Sequence, residues 1–202
     1  MFVIGIVGGV ASGKSLVSAA LARLGAEVID ADKLGHEVLL EPQVVAAARQ
    51  RWGDEVLSPN GQLDRRAIAR RVFGDKAHAI TERKFLEQLT HPRIAAKARE
   101  RISELATRGD VDLVVLDAAL LLEAGWNEYC DQIWFIDVPR EVREQRARTR
   151  GWSETEFNAR EAAQMPVSQK RAAADIVIDN SGSPEETTKQ IVAAWHSLNA
   201  DG

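Results

Sequence analysis

The stretch FVIGIVGGVASGKS, residues 2–15, decides the fold of this chain. Residues 2–7 are apolar and rich in β-branched side chains, which is typical of a buried parallel strand. The glycines that follow end this strand, and the pattern predicts a helix over residues 14–24. Residues 8–15 lie at the junction and match G-x-x-x-x-G-K-[S/T] at every position. The stretch therefore predicts a strand, a phosphate-binding loop and a helix in succession.

The residue types of this loop suit a nucleotide polyphosphate. Glycines let the backbone fold around a phosphate with its N–H groups pointing inward, and the positive end of the following helix favours an anion. Lys14 is expected to reach the β- and γ-phosphates, and the Ser15 hydroxyl is expected to bind Mg²⁺. A dinucleotide-binding motif is excluded because Val10 stands where G-x-G-x-x-G requires its second glycine.

Further short apolar segments alternate with helical patterns along the chain. The predicted strands are 2–7, 27–30, 111–117, 132–138 and 175–179, and helices are predicted over 139–150 and 184–198. Such alternation predicts an α/β fold with a five-stranded parallel sheet and helices on both faces. Its functional edge should lie where the carboxyl ends of the strands meet the loops.

The interval 32–109 interrupts this alternation with a mostly helical pattern. It contains a turn signal at Ser58-Pro59-Asn60-Gly61 and a predicted helix break at Thr90-His91-Pro92. We expect one domain over 1–202, with a core of about 1–31 and 110–202 and a helical insertion of about 32–109. The insertion either holds an acceptor substrate at the edge of the sheet or is a structural embellishment.

The composition excludes several classes of protein. The chain has 202 residues, of which 45% are hydrophobic and 28% charged, as in ordinary globular proteins. Its formal net charge of -4 disfavours general nucleic-acid binding. A single cysteine, Cys130, cannot form an internal disulfide, and no apolar run approaches the roughly 20 residues that span a bilayer. We therefore expect a cytoplasmic protein with no nucleic-acid or membrane partner.

Three aspartates lie where predicted strands end. Asp30 and Asp32 flank the end of the second strand, and Asp117 closes the third. A carboxylate at this edge can accept the proton of an acceptor hydroxyl or help to hold Mg²⁺. Aspartate also favours helix N-caps and turns at such junctions. Function is the favoured interpretation for Asp32, and both interpretations stay open for the other two.

Four arginines recur at spacings of three, three and four residues, so a helix would carry Arg140, Arg143, Arg146 and Arg150 along one face. Arg160 follows on the next helical segment. Guanidinium groups can close over a transferring phosphoryl group and neutralise its charge. The alternative is a solvated face paired with Glu141 and Glu144. His91 similarly has two interpretations, a contact with a substrate phosphate or a local hydrogen bond.

With these residues in view, the sequence resembles the dephospho-coenzyme A kinase family over nearly its whole length. Besides the phosphate loop, the arginine helix and Gln164, the similar segments are VIDAD (28–32), WGDEVLSPNGQLDRRAIARRVF (52–73), LEQLTHPRI (86–94), DAALLLE (117–123) and DIVIDNSG (175–182). The family transfers phosphate from ATP to the ribose 3′-hydroxyl of dephospho-coenzyme A, the last step of coenzyme A synthesis. The resemblance implies a P-loop kinase core, a helical substrate-binding insertion and a lid of about 140–168.

The resemblance also implies roles for individual residues. It implies that Asp32 acts as general base and that Lys14 and Arg146 are also catalytic. It implies that the acceptor is bound by Asp32, His91 and Arg160. It also implies that Mg²⁺ is bound by Ser15 and Asp117. The residues that it implies for ATP binding are Gly9, Val10, Ala11, Ser12, Gly13, Lys14, Ser15, Arg150 and Asn180.

The chain departs from the family pattern at three positions. Ala11 replaces a usual glycine, Leu16 stands where serine or threonine is common, and Ala119 replaces a proline. None of them removes Lys14, Ser15 or Asp32. Two other hypotheses fit parts of the sequence: a different nucleotide or small-molecule kinase, which leaves the insertion unexplained, and a nucleotide-dependent switch. No N-K-x-D motif supports a GTPase version of the switch.

Overall fold

A five-stranded parallel sheet lies at the centre of the fold in a computed structural model, which describes residues 1–72 and 77–200. Its spatial order is β2-β3-β1-β4-β5. The strands are β1 (Phe2–Gly8), β2 (Glu27–Asp30), β3 (Leu113–Asp117), β4 (Gln132–Asp137) and β5 (Ile176–Asp179). The α/β class and the five-stranded parallel sheet that the sequence predicts are confirmed.

Helices connect these strands. They are α1 (Lys14–Arg23), α2 (Ala31–Val38), α3 (Pro42–Trp52), α4 (Arg65–Val72), α5 (Ala77–Arg108), α6 (Arg140–Thr149), α7 (Glu154–Ala162), α8 (Val167–Ala172) and α9 (Pro184–Ala200). Two short 3-10 turns lie at Asp54–Val56 and Trp126–Tyr129. Within the described residues, no helix is long and apolar enough to cross a membrane.

The described chain forms two compact units. The first consists of residues 1–30 and 101–202, of which the structure describes those up to 200, and contains the sheet. Its core combines side chains of β1 such as Ile4 and Ile6 with Val17 and Leu21 of α1 and Ile191 of α9. Because all five strands are parallel and the central ones are covered by other elements, their sequences are almost continuously apolar.

The second unit consists of residues 31–100 and is helical. Its buried side chains come from α2 to α5 and include Val38, Val44, Trp52 and Ile68. The turn predicted at Ser58–Gly61 is confirmed, since the Gly61 N–H donates to the Ser58 carbonyl at 2.9 Å. Phe73, the last residue of the segment 52–73 quoted above, lies outside the described residues.

The helix break predicted at Thr90-His91-Pro92 is wrong, because α5 continues through Pro92. Proline removes one backbone N–H donor from a helix, but packing on either side can hold the helix together. Two neighbouring side chains bond to carbonyls of the preceding turn. Thr90 Oγ1 donates to the Leu86 carbonyl at 2.8 Å, and Arg93 Nη1 donates to the Leu89 carbonyl at 2.7 Å.

Strand register brings chemically important residues to one edge of the sheet. Ile6 of β1 and Asp30 of β2 both pair with Asp117 of β3. Gly8 of β1 pairs with Ile136, one residue before the end of β4. The carboxyl ends of neighbouring strands are therefore aligned, and the loop after β1 begins beside them.

Candidate active site

The phosphate loop, residues 8–15, has the backbone of an anion site. Ala11 and Gly13 lie in the left-handed region, with φ of 60° and 89°. Such residues within a turn are typical of the concave backbone that binds phosphates. Ser12 Oγ is buried and, within the described part of the chain, has no hydrogen-bond partner. A buried hydroxyl without a partner requires an explanation, and an anionic ligand in the loop provides one.

Two glycines of the loop are required by close contacts. A Cβ on Gly13 would collide with Asn180 Nδ2, and the left-handed backbone already favours glycine there. A Cβ on Gly9 would lie 2.6 Å from Arg143 Nη1. Gly13 is a glycine of the motif and Gly9 lies at one of its variable positions, but at both of them another side chain occupies the space beside the backbone.

The first turn of α1 supplies the polar side chains of the motif. Lys14 is half-buried and Ser15 is exposed. The first N–H groups of a helix have no partner within the helix, and its N-terminus carries partial positive charge. The first turn of α1 contains no acidic side chain. The positive end of α1 is therefore not neutralised by an acidic side chain of its own first turn.

Arg146 and Asn180 hold the loop from outside. Asn180 Nδ2 donates to the Ser12 carbonyl at 2.7 Å, and Arg146 Nη1 donates to the same oxygen at 3.3 Å. Arg146 Nη2 also donates to the Asn180 carbonyl at 2.7 Å. The structure thus brings together two residues that the sequence places more than 30 positions apart, both on the backbone of the loop.

Arg143 is a residue of this region that the sequence-based site omitted. Its side chain is buried, Nε donates to the Val138 carbonyl at 3.1 Å, and Nη1 donates to the Val10 carbonyl at 3.3 Å. The guanidinium also pairs with Glu161 of α7. The spacing of the arginines identifies their common helix, but it does not reveal which of them is buried.

The other arginines of the pattern lie in more solvated surroundings. Arg140 is exposed and bonds to Glu144 at 2.7 Å and to Asn158 at 2.5 Å, so the interpretation as a solvated face holds for it. Arg150 is exposed directly after α6. Arg160 is also exposed, and its guanidinium lies 4.1 Å from the ring centroid of Trp152.

Asp117 is oriented by a serine that sequence analysis missed. Ser18 Oγ lies 2.7 Å from Asp117 Oδ2 and 3.0 Å from the Lys14 carbonyl. Ser18 is buried on α1, one turn after the lysine, and i, i+4 spacing places it on the same face. Asp30 stands beside Asp117 in the paired strands and directly precedes α2. Two carboxylates therefore lie at the edge where the phosphate loop begins.

A buried lysine joins two segments of the first unit. Lys170 on α8 is 1% exposed, and its Nζ lies 3.0 Å from Glu123 Oε1, 3.0 Å from Gln164 Oε1 and 3.2 Å from the Ala119 carbonyl. Glu123 also accepts a hydrogen bond from the Met165 N–H at 2.7 Å. Glu123 and Gln164 belong to the parts of the sequence that resemble the family, while Lys170 gave no signal of its own.

Asp32 and His91 belong to the helical unit. Asp32 is exposed in the first turn of α2, where the helix dipole favours a carboxylate. His91 is half-buried in α5, and burial lowers its pKa while Glu87 opposes that effect. His91 therefore favours its neutral form, which offers one nitrogen donor and one nitrogen acceptor.

Comparison with known proteins identifies the family. A family model described as dephospho-CoA kinase matches residues 2–186. The dephospho-CoA kinase of Geobacter sulfurreducens is 43% identical over 201 residues, which cover 96% of this chain and 98% of that protein.

The fold of this chain is also similar to that of solved structures. The crystal structure of TT1252 from Thermus thermophilus is 35% identical and superimposes with a TM-score of 0.80, covering 98% of this chain and 97% of that one. Dephospho-CoA kinase from Campylobacter jejuni is 23% identical, with a TM-score of 0.66 and coverage of 97% and 96%, and shows the shared fold. With its phosphate loop and its near full-length match, this chain belongs to the dephospho-CoA kinase family.

Proposed function

We propose that this protein transfers the γ-phosphoryl group of ATP to the ribose 3′-hydroxyl of dephospho-coenzyme A, which produces coenzyme A in the last step of its synthesis. The observation that carries this proposal is the built phosphate loop, whose Ser12 carbonyl is held by Arg146 and Asn180, in a chain of this family. A loop fixed in advance loses little conformational entropy when the nucleotide binds.

The loop and the helix that follows it bind the donor. The backbone of residues 9–15 and the Lys14 ammonium group hold the phosphates of ATP, while Arg150 and Asn180 complete the nucleotide site. Arg146 has two functions in this proposal, because it orders the loop and adds positive charge beside it. Its contacts with two backbone carbonyls support the first function.

Ser15 and Asp117 fit a magnesium site. Hydroxyl and carboxylate oxygens are hard donors, and Mg²⁺ in kinases is typically held by one or two such groups together with phosphate oxygens. When bound, the ion neutralises charge on the β- and γ-phosphates. The hydrogen bond from Ser18 fixes the carboxylate of Asp117 and limits the directions that its oxygens can take.

The helical insertion of about 32–109 binds the acceptor through Asp32 and His91, and Arg160 of the lid of about 140–168 is a further acceptor-binding residue. The 3′-oxygen of the acceptor forms a bond to the γ-phosphorus, and the bond from that phosphorus to the β–γ bridging oxygen breaks. Asp32 accepts the hydroxyl proton, and ADP leaves. The Asp32 side chain is exposed in the first turn of α2, and a carboxylate is a suitable acceptor for a hydroxyl proton.

An assay of product formation tests the proposed reaction. The protein is incubated with Mg·ATP and dephospho-coenzyme A, and the product is analysed by mass and by phosphorus NMR. We expect one added phosphate, located on the 3′-hydroxyl, with one ADP formed for each coenzyme A. ADP release without a phosphorylated acceptor would reject the transferase and leave a nucleotide hydrolase.

Substitution of the proposed base tests the role of Asp32. Asp32→Asn preserves the size of the side chain but removes the proton acceptor, and we expect kcat to fall by about 100-fold or more, since general base catalysis contributes about 10²–10⁴-fold. Binding of ATP should change little, and the asparagine side chain still offers a hydrogen bond to the acceptor hydroxyl. The neighbouring exposed carboxylate Glu37 on α2 provides a matched control as Glu37→Gln. Unchanged turnover in Asp32→Asn would show that another group accepts the proton.

A further inference from the structure

Thr187 on α9 lies behind the phosphate loop and is fully buried, with 0% exposure. It stands one position after the segment that the family model matches, residues 2–186. Its hydroxyl oxygen is 3.0 Å from Asn180 Oδ1 and 3.3 Å from the carbonyls of Asp179 and Ser183. The shortest of these contacts is the one to the amide of Asn180.

This contact fits one orientation of the Asn180 amide. An asparagine amide has an acceptor end and a donor end, and a buried amide requires partners at both. With Oδ1 accepting from Thr187, Nδ2 points to the Ser12 carbonyl at 2.7 Å. The opposite orientation would place Oδ1 against that carbonyl, and two acceptors would then repel each other. Without the Thr187 hydroxyl, Asn180 Oδ1 would lose this donor while it stays buried.

The orientation of one carbonyl fixes the next N–H group of the loop. A peptide unit is planar and trans, so the C=O of Ser12 and the N–H of Gly13 point in opposite directions. Asn180 and Arg146 hold this carbonyl on one side. The Gly13 N–H is therefore directed to the other side and cannot rotate without breaking these two hydrogen bonds.

We propose that Thr187 is a positioning residue for ATP binding, which acts through Asn180 and the Ser12 carbonyl on the direction of the Gly13 N–H. This inference rests on the proposed use of the loop for ATP. Thr187 touches neither substrate in this scheme. Its substitution should weaken ATP binding and leave the affinity for dephospho-coenzyme A unchanged.

The test is a direct measurement of equilibrium ATP binding by titration calorimetry, in the full-length protein and without acceptor. Thr187→Val preserves the shape and removes the donor, whereas Thr187→Ser preserves the donor. A hydrogen bond of about 1 kcal/mol corresponds to about fivefold in affinity, and an unsatisfied buried acceptor extends this to tenfold or more. We expect ATP binding about 5- to 20-fold weaker in Thr187→Val, and within about twofold of wild type in Thr187→Ser.

Thr188→Val is the matched control. Thr188 is the next residue on α9, is exposed, and bonds to the Pro184 carbonyl of its own helix at 2.7 Å. The Thr188→Val protein should bind ATP with the affinity of wild type. If Thr187→Val also binds ATP as wild type does, the inference is wrong.

A double-mutant cycle separates positioning from general damage. Asn180→Ala removes the same connection, so the Thr187→Val/Asn180→Ala protein should bind ATP no more weakly than Asn180→Ala alone. Additive losses would overturn the inference even if Thr187→Val is partly destabilised. Wild-type protein that binds ATP but does not phosphorylate dephospho-coenzyme A would reject the proposed function and leave this test valid.

Discussion

Arginines on one helix have different surroundings at the scale of single residues. Arg143 and Arg146 bond to backbone carbonyls of the phosphate loop, whereas Arg140 pairs with acidic and polar side chains on the surface. Arg140, Arg143 and Arg146 follow one another at the same spacing of three residues, so the sequence pattern does not distinguish them. Their three-dimensional contacts do. Loss of a guanidinium should therefore have very different effects at these positions.

Replacement of Arg146 and Arg140 by alanine tests this difference. Arg146→Ala removes two charge-assisted hydrogen bonds to the loop and its neighbour, and we expect the KM for ATP to rise by about 10- to 100-fold. Arg140→Ala should stay within about threefold, because exposed ion pairs contribute little. Steady-state kinetics at saturating acceptor measure both values. Equal effects at the two positions would contradict the assignment of Arg146 to the loop.

Connections between secondary-structure elements depend on buried polar groups as well as on apolar packing. Lys170 of α8 bonds to the segment after β3 and to the residues just before α8. A buried ammonium group is stable only when its hydrogen bonds are satisfied. α8 can therefore bury Lys170 in its present position only because these three partners satisfy the ammonium group.

Substitution of this lysine should lower stability. Lys170→Met fills a similar volume but leaves Glu123 without its cation, and we expect a loss of about 3 kcal/mol in the free energy of unfolding. Lys189→Met, at an exposed position of α9, should change it by less than about 0.5 kcal/mol. Urea denaturation followed by circular dichroism measures both. A Lys170→Met protein as stable as wild type would show that the network contributes nothing.

The helical unit has its own buried charge. Glu82 of α5 is 1% exposed, pairs with Arg51 at 2.9 Å, and accepts a hydrogen bond from Trp52 Nε1 at 2.6 Å. The hydrogen bonds from Arg51 and then Trp52 lower the pKa of this carboxyl from 4.5 to about 2. A lowered pKa means that the stabilisation is complete above pH 4.5 and is lost as the pH falls towards 2.

The stabilising role of the Glu82 charge is tested by measuring the free energy of unfolding of Glu82→Gln and of wild type as a function of pH. At pH 7 the variant should be less stable by about 1–3 kcal/mol, since glutamine retains an acceptor for Trp52 but not the charge. The difference should stay constant down to pH 4.5 and shrink below it. Glu55→Gln removes an exposed carboxylate that pairs with Arg71 and serves as control. A difference that does not depend on pH would mean that the charge of Glu82 is not involved.

The whole molecule shows which features a sequence can predict. The strands were predicted to within two residues, because buried parallel strands are continuous apolar runs and need no distant information. The loop between β1 and α1 was predicted because its sequence signal lies in one short motif, residues 8–15. The continuation of α5 through Pro92 was not, since a local break signal is overruled by packing along the helix. Ser18 and Lys170 were missed for a related reason, as their partners Asp117 and Glu123 are distant in sequence. Thr187 was missed because Asn180, its near neighbour in sequence, connects it to the distant Ser12 carbonyl.

Choice of acceptor is a property of the whole molecule, because the same sheet and phosphate loop serve many kinases. We expect turnover of dephospho-coenzyme A to exceed that of AMP by at least about 100-fold in kcat/KM, since a discrimination of about 3 kcal/mol requires contacts beyond the nucleoside. Coupled ADP-release assays with each acceptor measure this ratio. Comparable turnover of AMP would indicate a nucleotide kinase that does not use the helical insertion for recognition.

Ala11 in the phosphate loop has a consequence for how this sequence can change over generations. A left-handed alanine costs roughly 1–2 kcal/mol, but its buried methyl group packs near Phe157 and recovers about 0.8 kcal/mol. Glycine would relax the backbone but leave a small gap, and its greater freedom in the unfolded chain costs a further ~0.4–1 kcal/mol, so the two residues differ in net stability by less than about 1 kcal/mol. Alanine and glycine codons differ by one base. Neutral drift between them is therefore open at this position, whereas at Gly9 and Gly13 any side chain would collide with Arg143 or Asn180.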